Sequence, residues 1–287
     1  MIETSIQLCR PYSWGGFCEW ILGMGYRGAS EKMASHVNDE TNINGSRIMN
    51  INGRYSLVLF LALYLSSVGC GYAFPSKGPD GEPVVETKGE PLHHVIYETK
   101  DVRVMRVLLL PGVRTMWHEQ HLDYVNTHIS GSPVKVEYIG QPVKYAVMET
   151  GHIRFGPHQG KSEVDRITNT GTTLNHQIAF EIKKNGPQGF GAGDRSDVKG
   201  FKLALDKPTV YGWHVELKPG ESTGVYTVKG PGVRVVFKGN RIISTKKNST
   251  VTQITTQDGD AFLIDPGTYV ITNGGSEDLV FNEYELK

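Results

Sequence analysis

From residue 100 onward the chain is a succession of short apolar–polar alternations. No stretch carries the three-to-four-residue period of an amphipathic helix. Residues 102–110, 134–139, 143–148, 152–155 and 178–182 are rich in Val, Ile, Leu and Tyr, with Gly or Pro at most of their ends. β-Branched and aromatic side chains suit a pleated surface and Gly and Pro interrupt it, so each run predicts a strand. A second series follows at 213–217, 232–237, 251–254, 261–264, 269–272 and 279–286. Many short strands separated by turn residues predict an all-β sandwich or barrel.

The two series read as copies. Gly112, Gly131 and Gly151 recur as Gly220, Gly239 and Gly259, each 108 positions on. Val107, Leu109, Pro111 and Thr115 recur at the same offset as Val215, Leu217, Pro219 and Thr223. Further along, Ile167, Thr168 and Asn169 answer Ile271, Thr272 and Asn273 at an offset of 104, which puts four extra residues in the first copy between Gly156 and Asp165. A fixed period of this kind predicts two tandem domains, 100–183 and 201–287. Between them, 184–200 holds five glycines and one proline and predicts a mobile linker. Residues 74–99, also Pro/Gly-rich, predict a connector.

The front end differs. Residues 57–68 are mostly apolar, Arg54 precedes them, and no charge falls between Arg54 and Lys77. This run is short for a membrane span and matches the apolar region of a secretory signal. Residues 49–73 therefore predict a signal peptide cut after Ala73, with a secreted or periplasmic product free of the membrane. Residues 1–48 predict either a disordered leader or sequence upstream of a true start at Met49. Cys9, Cys18 and Cys70 all precede the cut, so the exported chain would contain no disulfide and no thiolate metal ligand. Lys+Arg and Asp+Glu are equal at 30 each, with no basic block, which argues against nucleic acid or an anionic membrane as the main partner.

Chemistry concentrates in residues 111–131, PGVRTMWHEQHLDYVNTHISG, which hold three of the ten histidines. Gly112, His118, Gly131, Gly151 and Asn169 fall at spacings that resemble the two motifs of the cupins, and the duplicated chain resembles a bicupin. The resemblance implies two small jelly-roll barrels. It also implies a divalent metal (Fe, Mn or Zn) in a barrel that keeps its ligands. Mapped residue by residue, the family's second histidine falls on Gln120, its glutamate on Tyr124 and its last histidine on Asp165. In the second copy the positions of His118, Gln120 and Asp165 are Tyr226, Val228 and Tyr269, so the resemblance places any metal in the first barrel.

The residues themselves leave two ligand sets open. Strand positions two apart share a face, so His118 and Gln120 point together, and Tyr124, Asn126 and His128 keep that parity. A bulge at Glu119–Gln120 would instead turn His121 inward, making His118, His121 and Asp165 a two-His, one-carboxylate set suited to non-haem iron or manganese. Tyr124 and His128 are the candidate acid/base groups. His158 reads as a solvated loop residue, His93, His94 and His176 as residues without a role, and Trp117 as core. Two readings follow. One is an exported enzyme of dioxygenase, isomerase or lyase type acting on a small molecule. The other is a non-catalytic small-molecule-binding or structural module without metal. A compact monomer and a barrel-edge homodimer both fit.

Overall fold

The computed structural model describes residues 75–287 except 185 and 250. The leader, the signal segment and all three cysteines lie outside the described residues. Among the described residues, no helix is long and apolar enough to cross a membrane.

The first half contains β1 (Val84–Glu86), β2 (His93–Glu98), β3 (Val102–Leu109), β4 (Trp117–Gln120) and β5 (Asp123–Ser130). It continues with β6 (Ser132–Tyr138), β7 (Lys144–Met148), β8 (Ile153–Gly156), β9 (Glu163–Asn169) and β10 (Asn175–Ile182). They form two five-stranded sheets, in the orders β1-β4-β9-β6-β7 and β2-β3-β10-β5-β8. The second half contains β11 (Phe201–Lys207), β12 (Val210–Leu217), β13 (Tyr226–Val228), β14 (Gly232–Lys238) and β15 (Arg241–Lys246). It closes with β16 (Val251–Thr255), β17 (Ala261–Ile264), β18 (Gly267–Asn273) and β19 (Leu279–Leu286). Their sheets run β11-β12-β19-β14-β17 and β13-β18-β15-β16. The strand order of the second half matches that of the first, except that β1 has no counterpart. The loop between β8 and β9 spans 157–162, whereas β17 and β18 are joined by 265–266 alone, so the four extra residues fall there.

The repeated glycines and asparagines have physical work in both halves. Gly112 and Gly220 turn the chain at φ +78° and +76°, a left-handed conformation that costs a residue with a Cβ. Asn169 donates through Nδ2 to the carbonyls of Leu109 and Thr173, both at 2.8 Å, and Asn273 donates likewise to Leu217 and Glu277. Each amide ties two turns of its barrel together, so this part of the motif carries structure rather than ligand binding.

Two connectors depart from expectation. The segment 74–99 is not a free connector. β1 pairs in parallel with the edge of β4, and β2 pairs with β3. Asp80 accepts from Trp117 Nε1 at 2.9 Å and from the Arg166 guanidinium. These strands earn their place by backbone pairing along exposed sheet edges and bury few apolar side chains, which is why no hydrophobic alternation marks them. The linker 184–200 is likewise docked. Arg195, 4 % exposed, enters the second barrel, donates to Glu283 at 2.7 Å and pairs with Glu285. Its guanidinium lies 4.3 Å from the Trp213 ring and 4.9 Å from the Tyr226 ring.

The two barrels pack sheet against sheet. Val104, Val125, Ile178 and Phe180 of the first meet Val210, Val233, Val235 and Tyr284 of the second in one apolar core. Thr127 Oγ1 and Tyr284 Oη share a hydrogen bond of 2.7 Å across it. Inside the second barrel lies a dense apolar cluster around Trp213, Ile242, Ile271 and Phe281. The interior of the first barrel has a much smaller one, Val134, Val136, Tyr138 and Met148.

Candidate functional site

The rest of the first barrel's interior sets Met105, Val107 and Leu109 beside many polar side chains. Gln120, Asn126, Asn175 and Gln177 stand where the second barrel, at the repeat offsets, has Val228, Arg234, Leu279 and Phe281. An interior rich in amides and imidazoles is expensive to bury and is kept where those groups meet one another or a ligand. A cavity of about 40 Å³ lies among them, lined by His93, His118, Gln120, Tyr124, Asn126 and Glu181 with others. That volume holds an ion or one or two waters.

β4 pairs with β9 so that His118 stands opposite Asp165, and this register brings the two side chains together. His118 is 1 % exposed. Its Nδ1 lies 3.0 Å from the Met116 carbonyl, which can only accept, so Nδ1 carries a proton. Nε2 then faces Asp165 Oδ1 at 3.2 Å. A neutral ring would set a lone pair against a carboxylate there, so this junction calls for a shared proton or a cation. Gln120 Nε2 lies 3.1 Å from the same carboxylate oxygen and 3.4 Å from His118 Nε2, while its Oε1 is buried without a hydrogen-bond partner.

Two residues read as roleless or passed over belong to this cluster. Glu90 is 2 % exposed and accepts from the backbone amides of Leu92 and Met116 at 2.8 and 3.1 Å. It also accepts from His93 Nδ1 at 2.6 Å. The His93 ring sits 4.8 Å from that of His118. Burial lowers the pKa of His93, with the nearby His118 adding to it and Glu90 opposing. Burial pushes Glu90 up, but the His93 and amide bonds hold it below the usual carboxylate range. Glu181 also lines the cavity, paired with Arg103, and burial raises its pKa. Glu90 and His93 were not legible beforehand, because 74–99 lacks any strand pattern that would aim them inward.

The other candidates scatter. His121 is exposed and follows the end of β4, so no bulge turns it inward and the His118–His121–Asp165 set does not form. The strand stays regular because β1 and β9 pair with it on both sides through Glu119. Tyr124 lines the cavity, stacked on His158 at 5.3 Å, and burial raises its pKa. A Cβ at Gly156 would collide with its ring, which accounts for a glycine there. His128 is buried but lines no part of the cavity. Its ring stands perpendicular to that of His152 at 5.8 Å, and both ring nitrogens lack hydrogen-bond partners. His158, expected in solvent, is 6 % exposed.

Among the described residues, no three His, Cys, Asp or Glu side chains converge as a metal site. The groups that do converge are one imidazole, one carboxylate and one amide, which presents its Nε2 to the other two. They fit a cation that tolerates mixed oxygen and nitrogen ligands once the amide turns its partnerless Oε1 into the junction. In the second barrel Tyr226 and Arg234 bond Glu283, and Arg195 closes over them, so the matching interior is filled by the chain's own ion pairs.

No family model and no curated protein sequence matches the chain. Among solved structures it is similar to AerE from Microcystis aeruginosa, at 8% identity and TM-score 0.47 over 69% of this chain and 98% of that one. YhaK from Escherichia coli matches at 14% identity and TM-score 0.46, over 67% and 90%. The oxalate decarboxylase of Bacillus subtilis, studied for its Mn(II) centres, matches at 12% identity and TM-score 0.47, over 64% and 68%. These whole-chain similarities are too distant to transfer an activity, and the strand order of each half carries the fold assignment. In fold the chain is two tandem all-β barrels of matching strand order, packed sheet to sheet, as the resemblance to the bicupins implied.

Proposed function

We propose that the chain is an exported small-molecule-binding bicupin whose first barrel holds a divalent cation on His118, Asp165 and Gln120. The observation that carries this reading is the junction of His118 Nε2 with Asp165 Oδ1, with Nδ1 already committed to Met116 and the Gln120 oxygen left over. A cation bound there would polarise an oxygen of the ligand as a Lewis acid. The protein's own groups do the rest. Glu90 and Met116 fix the two imidazoles, and without the cation the junction of His118 Nε2 with Asp165 Oδ1 would be bridged by a proton instead. Tyr124, its pKa raised by burial, offers a hydroxyl that stays protonated near neutral pH. Activity of dioxygenase, isomerase or lyase type belongs to this reading.

A metal-free binding module is favoured by one specific observation. The cavity of about 40 Å³ is an order of magnitude smaller than a usual ligand pocket. Metal content separates the two. Full-length chain, as isolated and after Mn(II), Fe(II) or Zn(II) loading, should carry close to one metal, and His118→Ala and the isosteric Asp165→Asn should lose it while remaining folded by circular dichroism. A metal-free wild type under every condition would leave the binding module standing and remove the catalytic reading.

A further inference from the structure

The loop with four extra residues has no counterpart of its length in the second barrel. Pro157, His158, Lys161 and Ser162 of this loop, with the adjoining strand ends and Pro75, line a vestibule of about 410 Å³ that is open to solvent. Its walls include Ile139, Phe155, Pro157 and Val164, and its charges come from Arg154, Lys161 and Glu163. The loop is tied down. Asp123 Oδ1 accepts from the amides of His158 and Gln159 at 3.0 and 3.1 Å, and Gln159 Oε1 accepts from the Gly186 amide at 2.7 Å. The vestibule is therefore formed before any ligand arrives.

Arg154 lines both the vestibule and the inner cavity. It is half-buried, lies 5.9 Å from the Tyr124 ring, and donates to the Tyr138 hydroxyl at 3.3 Å. Among the described residues, the other buried or half-buried arginines each have a carboxylate within 4.0 Å. Arg103 pairs with Glu181, Arg106 with Asp260, Arg166 with Glu137, and Arg195 and Arg234 with Glu283. Arg154 has none. Beside it His158 is 6 % exposed and its buried Nε2 also lacks a partner. A half-buried guanidinium is costly to leave without an anion, and its planar fork matches a carboxylate with two parallel bonds.

We propose that this vestibule is the binding site for a small organic carboxylate with an apolar body. The carboxylate pairs with Arg154, and the body lies against Phe155, Ile139 and Pro157. The inference deepens the reading of the first barrel as a small-molecule site by naming the ligand class, and it does not require the cation.

The probe is benzoate, with benzamide as its neutral counterpart and inorganic phosphate as an oxyanion without an apolar body. Binding is measured by calorimetry on full-length chain stripped with EDTA, so absence of a metal centre cannot imitate failure here. Benzoate should bind at least about tenfold more tightly than benzamide or phosphate, which corresponds to roughly 1.4 kcal/mol. Arg154→Gln should lose at least that factor, Arg154→Lys should keep part of it, and benzoate should raise the melting temperature of wild type but not of Arg154→Gln. Equal binding of benzoate and benzamide to wild type overturns the proposal whatever the variants do. So does phosphate binding as tightly as benzoate, or unchanged benzoate binding in a folded Arg154→Gln.

Discussion

His118 and His128 are both 1 % exposed in the same barrel, and their partners separate them. His118 is held from both nitrogens, whereas His128 buries two polar atoms that bond nothing. Burial, with His152 and Arg154 near it, lowers the His128 pKa to about 4. The folded chain therefore binds this proton less readily than the unfolded chain, whose histidine titrates near 6.5. The stability held by the neutral ring is complete above about pH 6.5 and is lost as pH falls toward 4, a change on the order of 3 kcal/mol. His128→Leu should remove that pH dependence from urea midpoints measured between pH 7 and 4. It should also raise stability at pH 7 by about 1 kcal/mol by deleting the unsatisfied nitrogens. A variant that loses stability at pH 7 would show that His128 has a partner after all, such as a buried water. Parity along β5 correctly turned His128 inward, but parity cannot say at which end of the barrel a side chain lies or whether anything waits for it. The same limit applied to Gln120. Its direction was legible, but the pairing with Asp165 depended on a register between strands 45 positions apart.

At the level of elements, β9, β11 and β15 escaped the sequence reading, whereas strands such as β6 and β18 were readable because one face is buried and the period of two survives in the sequence. The connectors were not, because what holds them is polar and distant. Arg195 lies in a segment whose five glycines suggested free motion, yet its partners Glu283 and Glu285 come from the last strand, 88 and 90 positions on. Nothing local announces such a contact. Removing the guanidinium would leave two carboxylates buried with fewer partners, since Glu283 keeps Arg234 and Glu285 keeps the amides of Lys229 and Gly230. Breaking a buried charge cluster from one side is more damaging than never having built it. Arg195→Ala should therefore cost about 3–5 kcal/mol in urea unfolding and open residues 184–200 to limited proteolysis. Cleavage no faster than in wild type would mean that the linker is held by other contacts.

For the whole molecule, the asymmetry between the barrels has an energetic logic. The second has an apolar interior closed by its own ion pairs, whereas the first gives up apolar core for amides, imidazoles and a cavity. A barrel built that way is marginal on its own, and the shared core between the sheets offsets the deficit. Phe180 is 1 % exposed at the centre of that core, 5.2 Å from the Tyr284 ring, on the face of β10 opposite to Ala179 and Glu181 of the cavity wall. Phe180→Ala should cost about 3–5 kcal/mol without touching a group that lines the site. Because the core belongs to both barrels, calorimetry should show wild type and variant each melting in one transition, the variant lower by several degrees. Two resolved transitions, with only the first displaced by Phe180→Ala, would mean that the second barrel folds unaided and does not support its neighbour.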